Sequence, residues 1–257
     1  MPKSLRPITQ HLSYQKSITG WYMMKNNPNP AFGSDLEPFH GITTFMRLPA
    51  SRDFDGVDVA IVGIPFDGGT SYRSGTRFGP RRIRESSLMI WGYNRVLNVS
   101  PTDELKIVDF GDISVIPVDI RSTMDNITTE VQNIIKEEVK VVALGGDHSI
   151  SLPLLRAHAA KYGKLAVVHF DSHPDTWNEE YDDQPYSHGT PYRRAIEEKL
   201  INWKDSKYRK PLIVRGARQI GKTFSIKKFG DENFENTVLK SLQYEDLKTR
   251  SVDLVKN

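Results

Sequence analysis

Two carboxylates and an imidazole stand within five residues in Asp171-Ser172-His173-Pro174-Asp175. In an extended segment alternate side chains share a face, so Asp171, His173 and Asp175 are expected to converge on one spot. Mixed imidazole and carboxylate donors suit Mn²⁺ or Zn²⁺, and several carboxylates favour manganese. Upstream, Gly145-Gly146-Asp147-His148-Ser149 offers a fourth donor, His148, after two glycines that let the backbone turn tightly. A lone histidine reads more readily as a capping residue, and an acidic pair as a solvated loop. Three clustered donors joined by a fourth tip the reading towards a metal site. Asp147 reads equally as a carboxylate that orients a ligand or loop and as a helix N-cap. Downstream, His188 lies in Tyr186-Ser187-His188-Gly189-Thr190, a setting suited to proton transfer near neutral pH, though alone it would read as a surface histidine.

The 257-residue chain has no cysteine, so thiolate sites, disulfides and a cysteine nucleophile are excluded, and any metal falls to His, Asp or Glu. Its 35 basic and 32 acidic side chains give a net charge of only +3, which points to a small-molecule partner rather than nucleic acid or an anionic membrane. Residues 1–20 lack an apolar run of signal-peptide length, and no later stretch approaches the ~18 apolar residues of a membrane span. The expected location is cytoplasmic.

These side chains need a scaffold, and the apolar runs supply one. Residues 59–64, 106–110, 139–144 and 165–170 each have the length and β-branching of a buried parallel strand. Between them, residues 124–138 space Ile127, Val131, Ile134 and Ile135 by three and four, as a helix does. Strands alternating with helices predict a parallel sheet covered on both faces, with ligands at the carboxyl ends of the strands, where His148 and Asp171 fall. Residues 1–50, with scattered Pro, Asn, Gly and aromatics, read as an irregular arm of the kind that makes subunit contacts.

Upstream of the donors stand Gly63-Ile64-Pro65-Phe66-Asp67, Ser71-Tyr72-Arg73-Ser74-Gly75 and Gly79-Pro80-Arg81-Arg82-Ile83-Arg84. Together with the three donor motifs, these resemble the ureohydrolase family of arginases and agmatinases over about residues 55–200, more like agmatinase than arginase. The resemblance implies an arginase-like three-layer α/β/α fold and a binuclear Mn²⁺ site. His148, Asp171 and Asp175 would ligate one ion, His173 and a bridging Asp171 the second, and His188 would be the proton shuttle. It also implies attack of an activated water on a guanidinium carbon, release of urea and an amine from an agmatine-like substrate, and a trimer or hexamer. Arg73, Arg77, Arg81, Arg82 and Arg84 read as subunit ion pairs rather than catalytic groups.

The family continues to a Ser-x-Asp-x-Asp strand that completes both metal sites. Here the nearest counterpart is Ser251-Val252-Asp253-Leu254-Val255, whose last position is not acidic. The first ion is then expected to keep three protein ligands and the second two, impairing activity, and a sheet edge is expected to be bare. Residues 203–238 instead resemble the opening of a bacterial AAA-like ATPase. A short strand at 210–214 leads into Gly216-Ala217-Arg218-Gln219-Ile220-Gly221-Lys222-Thr223, which fits G-x-x-x-x-G-K-[ST]. In that pattern backbone amides around Gly216 and Gly221 cradle phosphates, Lys222 reaches the outer ones and Thr223 binds Mg²⁺. The expected organisation is a ureohydrolase-like domain over 1–200, a P-loop-like fragment over 201–238 and a tail over 239–257, a chimera arising by gene fusion or faulty assembly. Three readings result: an impaired ureohydrolase, an inactive relic of one, and an ATP-binding protein.

Overall fold

A computed structural model describes residues 37–212, 214, 222–235 and 237. The chain divides into two compact units, Met1–Ala195 and Ile196–Asn257.

In the first unit three parallel strands, β1 (Val59–Ile64), β2 (Ile107–Asp112) and β3 (Lys140–Gly145), form a sheet in the order β2-β1-β3. The helices are α1 (Gly79–Ser87), α2 (Pro101–Glu104), α3 (Ile120–Lys136), α4 (Ser151–Tyr162) and α5 (Pro191–Lys204), which runs across the division between units. β1 is central, and all six of its residues are buried. Its alternation sends Ala60, Val62 and Ile64 to one face, where they meet Ile127, Val131, Ile134 and Ile135 of α3 and Ala157 of α4. Val59 and Ile61 face the other way, against Leu144, Leu48, Phe45 and Met46. Each fully buried aliphatic side chain contributes about 1.5–3 kcal/mol, so these two layers outweigh any single polar contact in the loops. The three-layer α/β/α arrangement read from the sequence is therefore present.

Helix α3 starts before the predicted residue 124 because Asp119 accepts from the backbone N–H groups of Arg121 and Ser122, both at 3.0 Å. The described part of the arm runs against the body of its own chain. Its 3-10 turn, Phe45–Arg47, packs on the sheet, and Ala50 bridges to Asp109. β2 carries an irregularity opposite Ile61 and Val62, where Gly111 takes a φ of 85°.

Four of the arginines expected at subunit contacts are paired within the chain. Arg84 is buried and donates to both Asp109 oxygens, at 2.8 and 2.9 Å, and to Asp112 Oδ1 at 2.6 Å. Asp109 also accepts from the Phe45 and Gly111 amides. Arg81 and Arg82 pair with Glu85, and Arg77 with Asp67. The α1 register brings Arg81 and Arg82 to Glu85 at i+4 and i+3, while Arg84 faces the carboxylates of β2 and Arg77 lies in the turn before the helix.

Two strand expectations fail. Residues 165–170 form no strand: Val168 is 77 % and Phe170 94 % exposed. A buried parallel strand needs a ladder neighbour and cover on both faces, and an apolar run cannot supply its own cover. Among the described residues β3 is consequently an edge strand, with Val142 exposed. Lys210, Pro211, Leu212 and Val214 are likewise outside any strand, and Ile213 lies outside the described residues.

In the second unit, α6 (Lys222–Asn233) begins at Lys222 and Thr223, whereas Gly216 and Gly221 lie outside the described residues, as does 239–257. Among the described residues no helix is long and apolar enough to cross a membrane.

Candidate metal centre

The centre is built where β3 ends. Gly146 lies so close to the Ile64 and Phe66 carbonyls that a Cβ there would collide with backbone. Neither Gly145 nor Gly146 has a positive φ, so close approach, rather than the tight turn expected from the sequence, requires glycine at 146. The Gly146 and Asp147 amides donate to the Ile64 and Phe66 carbonyls, at 3.2 and 2.8 Å. The buried Asp147 carboxylate then accepts from Gly69 N at 2.7 Å and Ser149 N at 2.8 Å. It thus caps the 3-10 turn His148–Ile150 and ties the loop after β1 to the loop after β3. Burial pushes its pKa up, against the amides of Ser149 and Gly69, which favour the carboxylate.

His148, held at the first position of that turn, points Nδ1 at Asp175 Oδ2 and lies 3.3 Å from Asp171 Oδ2. His169 brings Nε2 to 3.6 Å from the same Asp171 oxygen, too far for a hydrogen bond. One donor atom each from His148, His169, Asp171 and Asp175 lies within 4.8 Å of the others. Tyr192, at the start of α5, packs its ring 4.5 Å from that of His169 and 5.9 Å from that of His148, and its amide donates to the Asp175 carbonyl. The backbone amide of His173 and, against some desolvation, the charges of His148, His169 and His173 lower the Asp171 pKa, which keeps it a carboxylate.

The donor chemistry fits a divalent cation. An ion pair alone would account for His148, but not for His169, whose Nε2 is buried with no hydrogen-bond partner among the described residues. Leaving such an atom unsatisfied costs about 1–3 kcal/mol, and an ion among these donors removes that cost.

Of the expected donors, the structure brings His148, Asp171 and Asp175 together but leaves His173 outside the cluster. The alternation argument breaks at the bend of Ser172 and His173, where the His173 amide donates back to Asp171 Oδ1 at 2.9 Å. The His173 ring is 79 % exposed, with Nδ1 3.6 Å from Asp171 Oδ1, the oxygen turned away from His148. His169 and Tyr192 were missed. The two-residue step from Asp171 extends back to 169, where a histidine interrupts an apolar run. That was its signal.

His188 stands in a neighbouring loop. Its Nε2 is 2.9 Å from Ser71 Oγ and 3.2 Å from Glu180 Oε1, and its amide donates to Gly69 O at 2.8 Å. A surface concavity of about 380 Å³ lies elsewhere, around Arg84, Asp109, Arg52 and Thr44, and none of the clustered donors lines it.

Residues 57–255 match the sequence model of the Arginase family, a span that includes the segment with P-loop character. The chain is 42 % identical over 183 residues to a guanidinobutyrase of Pseudomonas aeruginosa, covering 70 % of this chain and 57 % of that protein. It is 40 % identical over 162 residues to a mitochondrial agmatinase of Gallus gallus, covering 63 % and 47 % respectively. Among solved structures it resembles the proclavaminate amidino hydrolase of Streptomyces clavuligerus, with a TM-score of 0.59 and 42 % identity over 65 % of this chain and 55 % of that one. The chain thus spans about half the length of the relatives it matches.

Proposed function

The chain belongs to the arginase family, and from that premise we propose that it carries the metal-binding part of a hydrolase that releases urea and an amine from a linear guanidino compound. The observation that carries this reading is the convergence of His148, His169, Asp171 and Asp175, with His169 Nε2 buried 3.6 Å from Asp171 Oδ2 and without a hydrogen-bond partner among the described residues. Manganese is the cation proposed, because carboxylates make up half of the donors. When bound, it supplies a Lewis acid and a water of lowered pKa.

The chain's own groups do the rest. Asp147 fixes the turn that presents His148, and Tyr192 walls the two imidazoles on one side. Asp171 turns Oδ2 towards His148 and His169 and Oδ1 towards His173. A second cation on the His173 side would have only His173 and Asp171 from the described residues, so it is held more weakly than the first. His188 is the group proposed to accept and return a proton as the carbon–nitrogen bond breaks. With the second ion held only by His173 and Asp171 of the described residues, the proposed activity is reduced, and the proposed setting is cytoplasmic, with trimeric or hexameric assembly as the family resemblance implies.

The test is urea release from agmatine, 4-guanidinobutyrate and 3-guanidinopropionate with added Mn²⁺, beside a His148→Ala/Asp171→Ala variant whose fold is checked by circular dichroism. Manganese-dependent urea from the wild type alone supports the reading, and the preferred member of the panel names the substrate. A folded, metal-loaded protein that releases no urea from any member overturns it in favour of an inactive relic. The ATP-binding reading keeps one support, the placement of Lys222 and Thr223 in the first turn of α6. It requires ATP affinity that Lys222→Ala abolishes.

A further inference from the structure

His188 is held by groups outside the donor cluster. Ser71 Oγ and Glu180 Oε1 approach the same nitrogen, Nε2, at 2.9 and 3.2 Å. The Tyr181 hydroxyl donates to the Ser71 carbonyl at 3.1 Å, so two consecutive residues, Glu180 and Tyr181, hold the serine and the histidine together. The Glu180 side chain is only 10 % exposed. Although burial opposes its charge, the hydroxyls of Ser187 and Ser71 and the His188 ring bring its pKa below the ordinary carboxylate value. Asp147 also interacts electrostatically with His188, at longer range.

An ionised carboxylate only accepts hydrogen bonds, and a neutral imidazole has one nitrogen that donates and one that accepts. A bare Nε2 facing Glu180 would set two acceptors against each other, so the proton belongs on Nε2. Ser71 reinforces this without deciding it, because a hydroxyl either donates or accepts. From these contacts we infer that Glu180 is a positioning residue, one that fixes the His188 proton on Nε2 and leaves Nδ1 as the nitrogen that exchanges protons. A proton arriving at Nδ1 gives the imidazolium, with Nε2–H still directed at Glu180. The same proton leaves from Nδ1, and no electrons or other groups are transferred. The inference rests on the proposed function for what the proton exchange serves, but the position of the resting proton is a property of the free protein.

The experiment is nitrogen NMR of the full chain labelled with ¹⁵N-imidazole histidine, at a pH where the ring is neutral. Among the seven histidines, the His188 signals are those lost in His188→Gln. The expected result is a protonated Nε2 and a bare Nδ1 in the wild type and in Ser71→Ala, with that preference lost in Glu180→Gln, whose amide can also donate. Backbone amide spectra confirm that each variant is folded. A wild-type ring protonated on Nδ1, or a folded Glu180→Gln variant with an unchanged tautomer, overturns the inference. Where urea release is measurable, Glu180→Gln is expected to lower kcat about 10-fold or more, a share of the 10²–10⁴-fold typical of general acid–base groups, with KM changed less than about two-fold. Loss of the tautomer with kcat unchanged would detach Glu180 from the reaction. A wild type without urea release but with Nε2 protonated and sensitive to Glu180 sinks the proposed function alone.

Discussion

Asp171 has imidazoles on both sides of its carboxylate, His148 and His169 towards Oδ2 and His173 towards Oδ1. The three histidines therefore differ in what their removal costs. His169→Ala is expected to weaken the tighter Mn²⁺ binding event about 10–100-fold, the range seen when a group that supports a metal is lost. His173→Ala should leave that event within about three-fold and remove only a weaker second one, as titration calorimetry on apo-protein would show. Equal losses in both variants would place His173 in the first site after all. Three of the four clustered donors were legible: Asp171 and Asp175 because two carboxylates crowd into five residues, and His148 because it follows a strand through two glycines. His169 was hidden by its apolar neighbours, and the exclusion of His173 follows from a bend at Ser172 and His173 that no spacing rule anticipates.

The elements that carry these donors rest on polar contacts as well as on the apolar layers. Asp109 on β2 accepts from Arg84, Phe45 and Gly111 at once, so Asp109→Ala leaves a buried guanidinium with Asp112 as its remaining carboxylate. The expected loss is about 3–5 kcal/mol in urea denaturation, as for other broken buried pairs. In the loop after β1, Asp67 accepts from Arg77 Nε and Gly75 N, both at 2.6 Å. Arg77 lowers its pKa, outweighing burial, and the amides of Gly75 and Arg77 add to the effect. A depressed carboxylate pKa stabilises the fold fully above the unfolded value near 3.8, and that contribution disappears as the pH falls through the lower folded value. Thermal melts should fall in acid below about pH 4, and Asp67→Asn should be less stable at pH 7 with a flatter acid limb. The strands β1, β2 and β3 were readable because each apolar run finds cover from a helix or the arm. The run at 165–170 has the same composition and no such cover, and composition carries no record of neighbours.

For the molecule as a whole, the β3 edge and the exposed Val167, Val168 and Phe170 form an apolar liability of the kind folded proteins normally cover. Concentration-dependent association is expected in sedimentation velocity, and Val168→Lys should reduce it without lowering Mn²⁺ affinity. An unchanged sedimentation profile would locate the contact elsewhere. The cover expected from both sides of the sheet was legible in the alternation of strands and helices. The division between Ala195 and Ile196 falls within α5, five residues before the boundary expected after residue 200. The contacts that shape the centre also span long stretches of chain: Asp147 holds Gly69 from 78 residues away, and His188 meets Ser71 across 117. Closing loops of that size is slow, whereas α3 and its neighbouring turns need only local contacts. During refolding, helix should therefore return first, and the capacity to capture a cation should be among the last properties to appear.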